Sequence, residues 1–162
     1  MTDPKRATVI AGAHWEELLA DVDAFASEYE DTGWETVAVH ARSAAVLDER
    51  SRTDRYGLSV LAPEDEFERA EELVEGGVTF DTSAVYSRRV EDVVLLIVAL
   101  EDHDREAAIV FPAYYECSDA DAMLAEAMDA GTMYTYLTGN SGERVGFEHD
   151  EPSIFLPPEI DG

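Results

Sequence analysis

The 162 residues carry 37 acidic against 11 basic side chains, a formal charge of −26 at pH 7, and 46% of them are apolar. The acidity argues against nucleic acid, whose phosphates are met by clustered Lys and Arg, and the apolar share is too high for a disordered chain. The longest apolar run, Val93 to Leu100, has eight residues against the roughly 20 of a spanning helix, so no membrane partner is expected.

Taken in chain order, Trp15, Leu18, Leu19, Val22, Phe25, Ala26 and Tyr29 recur at three- and four-residue steps. They predict a first helix that stops at Gly33. Trp34, Val37, Val39 and Ala41 mark a strand, and residues 56–62 another. Pro63 suits the start of a second helix over 64–75, striped with Phe67, Ala70, Leu73 and Val74 and closed by Gly76-Gly77. Strands over 79–88, 93–100 and 107–113 come next. The middle one is apolar on both faces and reads as a central strand covered on each side. The short polar link 101–105 makes it an antiparallel hairpin with its successor. Ser118, with Asp121 three residues on, predicts the start of a third helix striped with Ala120, Met123, Leu124, Ala127 and Met128 and ended by Gly131. Met133, Tyr134, Tyr136 and Leu137 suggest another strand, and 145–147 and 154–156 are short edge candidates.

The expected fold is α+β: a mostly antiparallel sheet of five to seven strands with three helices packed on it. It is placed in a single domain over 13–156, the usual size for one domain, between an N-terminal segment, 1–12, and a C-terminal tail, 157–162. Strand, proline, acidic helix and glycine recur over 58–77 and 109–131. Either duplication or ordinary helix capping accounts for that echo.

Two acidic segments each hold a histidine, Glu101-Asp102-His103-Asp104 and Glu148-His149-Asp150-Glu151. The atom types suit a metal, but successive residues of a turn diverge and no second His or Cys stands at ligand spacing. Solvated polarity is the reading, and neither metal nor cofactor is expected. His14 abuts Trp15, where packing or capping accounts for it. His40 alternates with Val39 and Ala41 and faces away from them, a general base with no identifiable nucleophile. Cys117 lies between Glu116 and Asp119, which oppose thiolate formation, and reads as an inert thiol. A lone cysteine makes no internal disulfide, and the opening Met-Thr-Asp-Pro-Lys-Arg leads into too short an apolar stretch for a secretion signal; a reducing cytoplasm is expected. No glycine-rich phosphate loop, nucleophile elbow, HExxH or CxxC is present.

Two groups stand above this background. Arg42, Arg50, Arg52 and Arg55 gather with Asp48, Glu49 and Asp54 in a segment of net charge +1. It reads as an anion- or partner-binding loop, or as arginines paired with neighbouring acids. Tyr86, Tyr114, Tyr115, Tyr134 and Tyr136, with Arg88 and Arg89 near the first, read as a pocket or interface lining, or as ordinary core packing.

The charge also speaks of solvent. At ordinary ionic strength it is a heavy self-repulsion, whereas at molar salt the Debye length of roughly 3 Å removes most of it. Lys5 is the only lysine. His14-Trp15-Glu16-Glu17, Gly33-Trp34-Glu35-Thr36, Asp65-Glu66-Phe67, Pro112-Ala113-Tyr114-Tyr115 and Phe147-Glu148-His149-Asp150 resemble an uncharacterised family of small acidic haloarchaeal proteins, over about residues 12–156. The resemblance implies an archaeal cytoplasmic protein of no assigned function, and it supplies no catalytic residue. Titratable groups are abundant but nowhere arranged as nucleophile, base and orienting group, so a non-catalytic binding or regulatory module adapted to high salt is expected. The alternative is a small metal-independent hydrolase or transferase built from the tyrosines, Arg88 and His40. Binding is assigned to Arg42, Arg50, Arg52, Arg55, Tyr86, Arg88, Tyr114 and Tyr115. The partner is a protein or a small ligand, with self-association left open.

Overall fold

The computed structural model describes residues 4–47 and 57–158, which form α1 (Pro4–Asp31), β1 (Glu35–Ala38), β2 (Ser43–Leu47), β3 (Gly57–Leu61), α2 (Glu64–Glu75), β4 (Thr82–Val90), β5 (Val93–Asp102), β6 (Ala107–Glu116), α3 (Cys117–Ala130), β7 (Met133–Thr138) and β8 (Arg144–His149). The α+β class and the three helices are as expected. The strands differ: among the described residues there are eight, in two four-stranded mixed sheets ordered β1-β6-β5-β4 and β2-β3-β7-β8. Parallel pairing joins β1 to β6 and β3 to β7, and the remaining pairs are antiparallel.

Helical crossovers explain the second sheet. Parallel neighbours require a long connection, and here α2 and α3 supply the crossings. The first carries the chain from β3 in one sheet to β4 in the other; α3 carries it back, from β6 to β7. The strand–helix–glycine echo of the sequence is this pair of opposite crossings. Gly131 ends α3 in the left-handed conformation at φ 73°, which lets the chain turn directly into β7. Gly57 is dictated by the β3/β7 pairing, since a Cβ there would lie 1.7 Å from the carbonyl oxygen of Tyr134.

Every residue from Val93 to Leu100 is buried, because β5 lies inside its sheet and alternates between two apolar clusters. Val93, Leu95, Ile97 and Ala99 meet Leu18, Val22 and Ala26 of α1. Val94, Leu96, Val98 and Leu100 face the main core, shared with Leu58, Val60, Phe67, Met123, Leu137 and Phe147 from α2, α3 and the second sheet. Among the described residues no helix is long and apolar enough to cross a membrane.

Three local expectations change. The segment 154–156 is not a strand: Pro152–Phe155 forms a 3-10 turn, with Pro152 at its start. Ser118 is not the N-cap of α3; the helix begins at Cys117, and the Ser118 hydroxyl donates to Glu116 at 2.5 Å. The start of α1 reaches back to Pro4, a residue suited to a first helical turn.

Candidate functional site

Each sheet ends in a strand with one free edge at β4 and β8, and the chain around these two edges encloses an open cavity of about 680 Å³. Residues 78–83 line one side, residues 146–151 the other, and Val74 and Ile154 complete the wall. Phe80 and Phe147 meet edge to face at 5.5 Å and, with Val74, Val78 and Ile154, supply its apolar surface. Its charged lining residues are all acids, namely Asp81, Glu148, Asp150 and Glu151.

Strand alternation sets what faces inward. Val145, Phe147 and His149 fall on the buried face of β8, and Met133, Thr135 and Leu137 on that of its neighbour β7. Met133 pairs with His149 across the two strands. His149 is therefore 3% exposed, and Thr135 is fully buried. The imidazole Nε2 lies 2.8 Å from Thr135 Oγ1, and Nδ1 lies 2.9 Å from Ser83 Oγ at the start of β4. The Phe155 ring stands against the imidazole at 4.9 Å. Burial lowers the His149 pKa from its usual value to about 4, so the ring is neutral at ordinary pH. The result is a hydroxyl–imidazole–hydroxyl chain that bridges both sheets, with Ser83 and His149 in the cavity wall.

His40 lies in opposite surroundings. Its Nδ1 is 2.6 Å from Glu66 Oε2 of α2, its Nε2 is 2.7 Å from Asp23 Oδ1 of α1, and its backbone N–H donates to Glu66 Oε1. Hydrogen bonds donated by the ring to the carboxylates of Glu66 and Asp23 raise its pKa, against partial desolvation, and favour the imidazolium. This charged staple joins two helices to the chain leaving β1. Arg88 has other partners, Glu17 Oε1 at 3.1 Å and His14 Nδ1 at 3.1 Å.

The remaining residues singled out in the sequence are dispersed. Tyr86 is half-exposed and stacks on Phe25 of α1 at 4.5 Å. Tyr114 meets Trp15 at 5.8 Å on the same side of the sheet. Its neighbour Tyr115 points into the main core, where its hydroxyl donates to the Phe155 carbonyl at 2.6 Å and burial raises its pKa. Tyr134 and Tyr136 stack on β7, with Arg144 5.8 Å above the second ring. Arg42 is exposed, while Arg50, Arg52 and Arg55 lie outside the described residues. None of the assigned binding residues that are described lines the β4/β8 cavity. His103 is exposed, with its ring edge-on to Trp34, far in character from the buried His149. The carboxylate of Asp102 is buried and accepts from the backbone N–H groups of Thr79, Asp104 and Arg105, which hold its pKa low. Burial raises the thiol pKa of Cys117. Among the described residues no group of three or more His, Cys, Asp or Glu is placed to hold a metal ion.

Ser83, Thr135 and the inward direction of His149 were missed by reading His149 as part of a polar turn. The alternation Val145, Phe147, His149 was the available signal.

Fold and cleft together define a two-sheet α+β protein with a neutral histidine set between hydroxyls. The chain belongs to the family of unknown function DUF7529, which matches residues 5–157. No curated protein and no solved structure matches it.

Proposed function

We propose that the protein is a non-catalytic binding module of a high-salt cytoplasm and that its ligand occupies the β4/β8 cavity. The observation that carries this reading is the cavity itself, whose volume of about 680 Å³ falls in the usual range for small-ligand sites and whose wall holds convergent polar groups over two phenylalanines. The acidic lining disfavours anionic ligands. The charge of −26 and the single cysteine support the high-salt, reducing compartment.

The Ser83–His149 contact at 2.9 Å also invites a hydrolase reading, with Ser83 as nucleophile. Physical chemistry disfavours it. A histidine whose pKa burial lowers to about 4 is a poor general base near neutral pH. Its far nitrogen meets the Thr135 hydroxyl rather than a carboxylate, and the nearby Asp150 charge opposes but does not overcome the burial that disfavours an imidazolium.

The binding reading is tested by saturation-transfer NMR with small aromatic fragments in 3 M KCl. Fragments that bind should lose their signal in Thr82→Trp, which places an indole at the exposed lip of the cavity, while the thermal midpoint stays near that of the parent. Binding that is indifferent to Thr82→Trp, or no binding at millimolar fragment, counts against the cavity. Covalent labelling of Ser83 by a fluorophosphonate would favour the hydrolase instead.

A further inference from the structure

Proton bookkeeping around His149 narrows the ligand. A neutral imidazole has one N–H, and each ring nitrogen here faces one hydroxyl. If Nε2 carries the proton, it donates to Thr135 Oγ1, and the Thr135 proton then needs another acceptor. Thr135 is 0% exposed, and among the described residues its hydroxyl has no partner except His149. Stranding a buried O–H is costly enough to shift the tautomer balance by roughly tenfold or more. If Nδ1 carries the proton instead, it donates to Ser83 Oγ, and the Thr135 hydroxyl donates to Nε2. Every proton of the buried pair is then placed.

That arrangement leaves the Ser83 proton over. Ser83 Oγ already accepts from Nδ1, its hydroxyl has no other partner among the described residues, and the residue lines the cavity. We infer that Ser83 offers its hydroxyl as a hydrogen-bond donor to the cavity, and that the ligand is an uncharged molecule presenting a carbonyl oxygen to Ser83 and an apolar body to Phe80 and Phe147. The inference rests on the binding reading of this cavity. Anionic acceptors meet Asp81, Glu148, Asp150 and Glu151 and are turned away, whereas an amide N–H beside the carbonyl finds acceptors among them. The same tautomer explains why Ser83 is no nucleophile: the imidazole points an N–H at its oxygen, not a lone pair at its proton.

Two measurements test this. Nitrogen-15 correlation spectra of the histidine side chains at pH 7 in 3 M KCl should show His149 protonated at Nδ1 and bare at Nε2. Benzamide, benzylamine and benzoate, matched in ring and size, are then titrated against the whole protein. Benzamide should bind best and benzoate not detectably. Ser83→Ala should weaken benzamide by tenfold or more, and Ser83→Thr, which keeps the hydroxyl, should restore it. An Nε2–H tautomer overturns the inference even where fragments still bind. Benzamide affinity unchanged in Ser83→Ala, or benzoate binding as well as benzamide, overturns it too and leaves the cavity reading standing. Failure of all three probes, together with an unresponsive Thr82→Trp, counts against the cavity itself and the ligand class with it.

Discussion

At the scale of single residues, two histidines of one chain are driven in opposite directions by their surroundings. His149 is buried among hydroxyls and a phenyl ring, and its pKa falls to about 4; His40 is held by two carboxylates, and its pKa rises. The consequences for stability have opposite sign. Between pH 4 and the ordinary histidine value of about 6.5 the unfolded chain binds a proton at residue 149 that the folded chain refuses. Stability therefore rises with pH across that window, by about 3 kcal/mol in all for a shift of this size. His40 contributes stability that is complete below about 6.5 and is lost as pH rises through its raised folded value. Urea melts in 3 M KCl should show the acid limb flattened in His149→Asn and the alkaline limb flattened in His40→Asn. An acid limb identical in wild type and His149→Asn would mean that the ring is not buried as described. The site was legible only in part at this scale. A histidine flanked by Glu148 and Asp150 reads as solvated polarity by composition, yet two-residue alternation with Val145 and Phe147 turns it inward. Ser83 had no local mark, because its partner is 66 positions away and belongs to the other sheet.

Among the elements, β5 is where sequence and structure agree most closely. Eight consecutive apolar residues cannot alternate between core and water, and here one face meets α1 while the other meets the second sheet and its helices. Ile97, on the α1 side and 4% exposed, is a stringent place to test that burial. Ile97→Asp should abolish folding, since an unpaired buried carboxylate costs several kcal/mol against a total of about 5–15. His103→Ala, in the turn after the strand, should cost under about 1 kcal/mol, because that side chain is 61% exposed, edges against Trp34 and stands 3.7 Å from Glu101 Oε1 as a surface pair. Parallel thermal melts separate the two, and tolerance of the aspartate would place β5 at an open edge. The helices were equally plain from their apolar stripes and closing glycines. What sequence pattern could not convey was the second sheet. The β2 run Ser-Ala-Ala-Val-Leu is too small and irregular to announce a strand, and the parallel pairs depend on crossovers whose direction no local pattern encodes. Two short strands in register look alike whether they share one sheet or belong to two.

For the molecule as a whole, the charge pattern works against the folded state unless salt screens it. Among the described residues no helix has a basic residue in its last turn, where the macrodipole favours one. Acids stand there instead: Glu28, Glu30 and Asp31 in α1, Glu72 and Glu75 in α2, and Asp129 in α3. At low ionic strength each such placement is unfavourable by roughly 0.3–1 kcal/mol, so together they weigh against a typical total of about 5–15. Exposed ion pairs such as Arg88–Glu17 offset little of it. Raising KCl from about 0.1 M to above 1 M shortens the Debye length from roughly 10 Å to under 3 Å and removes most of this penalty along with the general self-repulsion. The thermal midpoint should therefore climb steeply with KCl. A variant with Glu30→Gln, Asp31→Asn, Glu75→Gln and Asp129→Asn should melt roughly 5 °C higher than the parent at 0.1 M KCl, and almost equally with it at 3 M. The difference between the two salts isolates the charge term, since the substitutions are exposed and nearly isosteric. A parent midpoint that is flat across the salt series would remove the physical basis of the high-salt reading. A variant gain that persists at 3 M would instead assign the effect to local helix propensity.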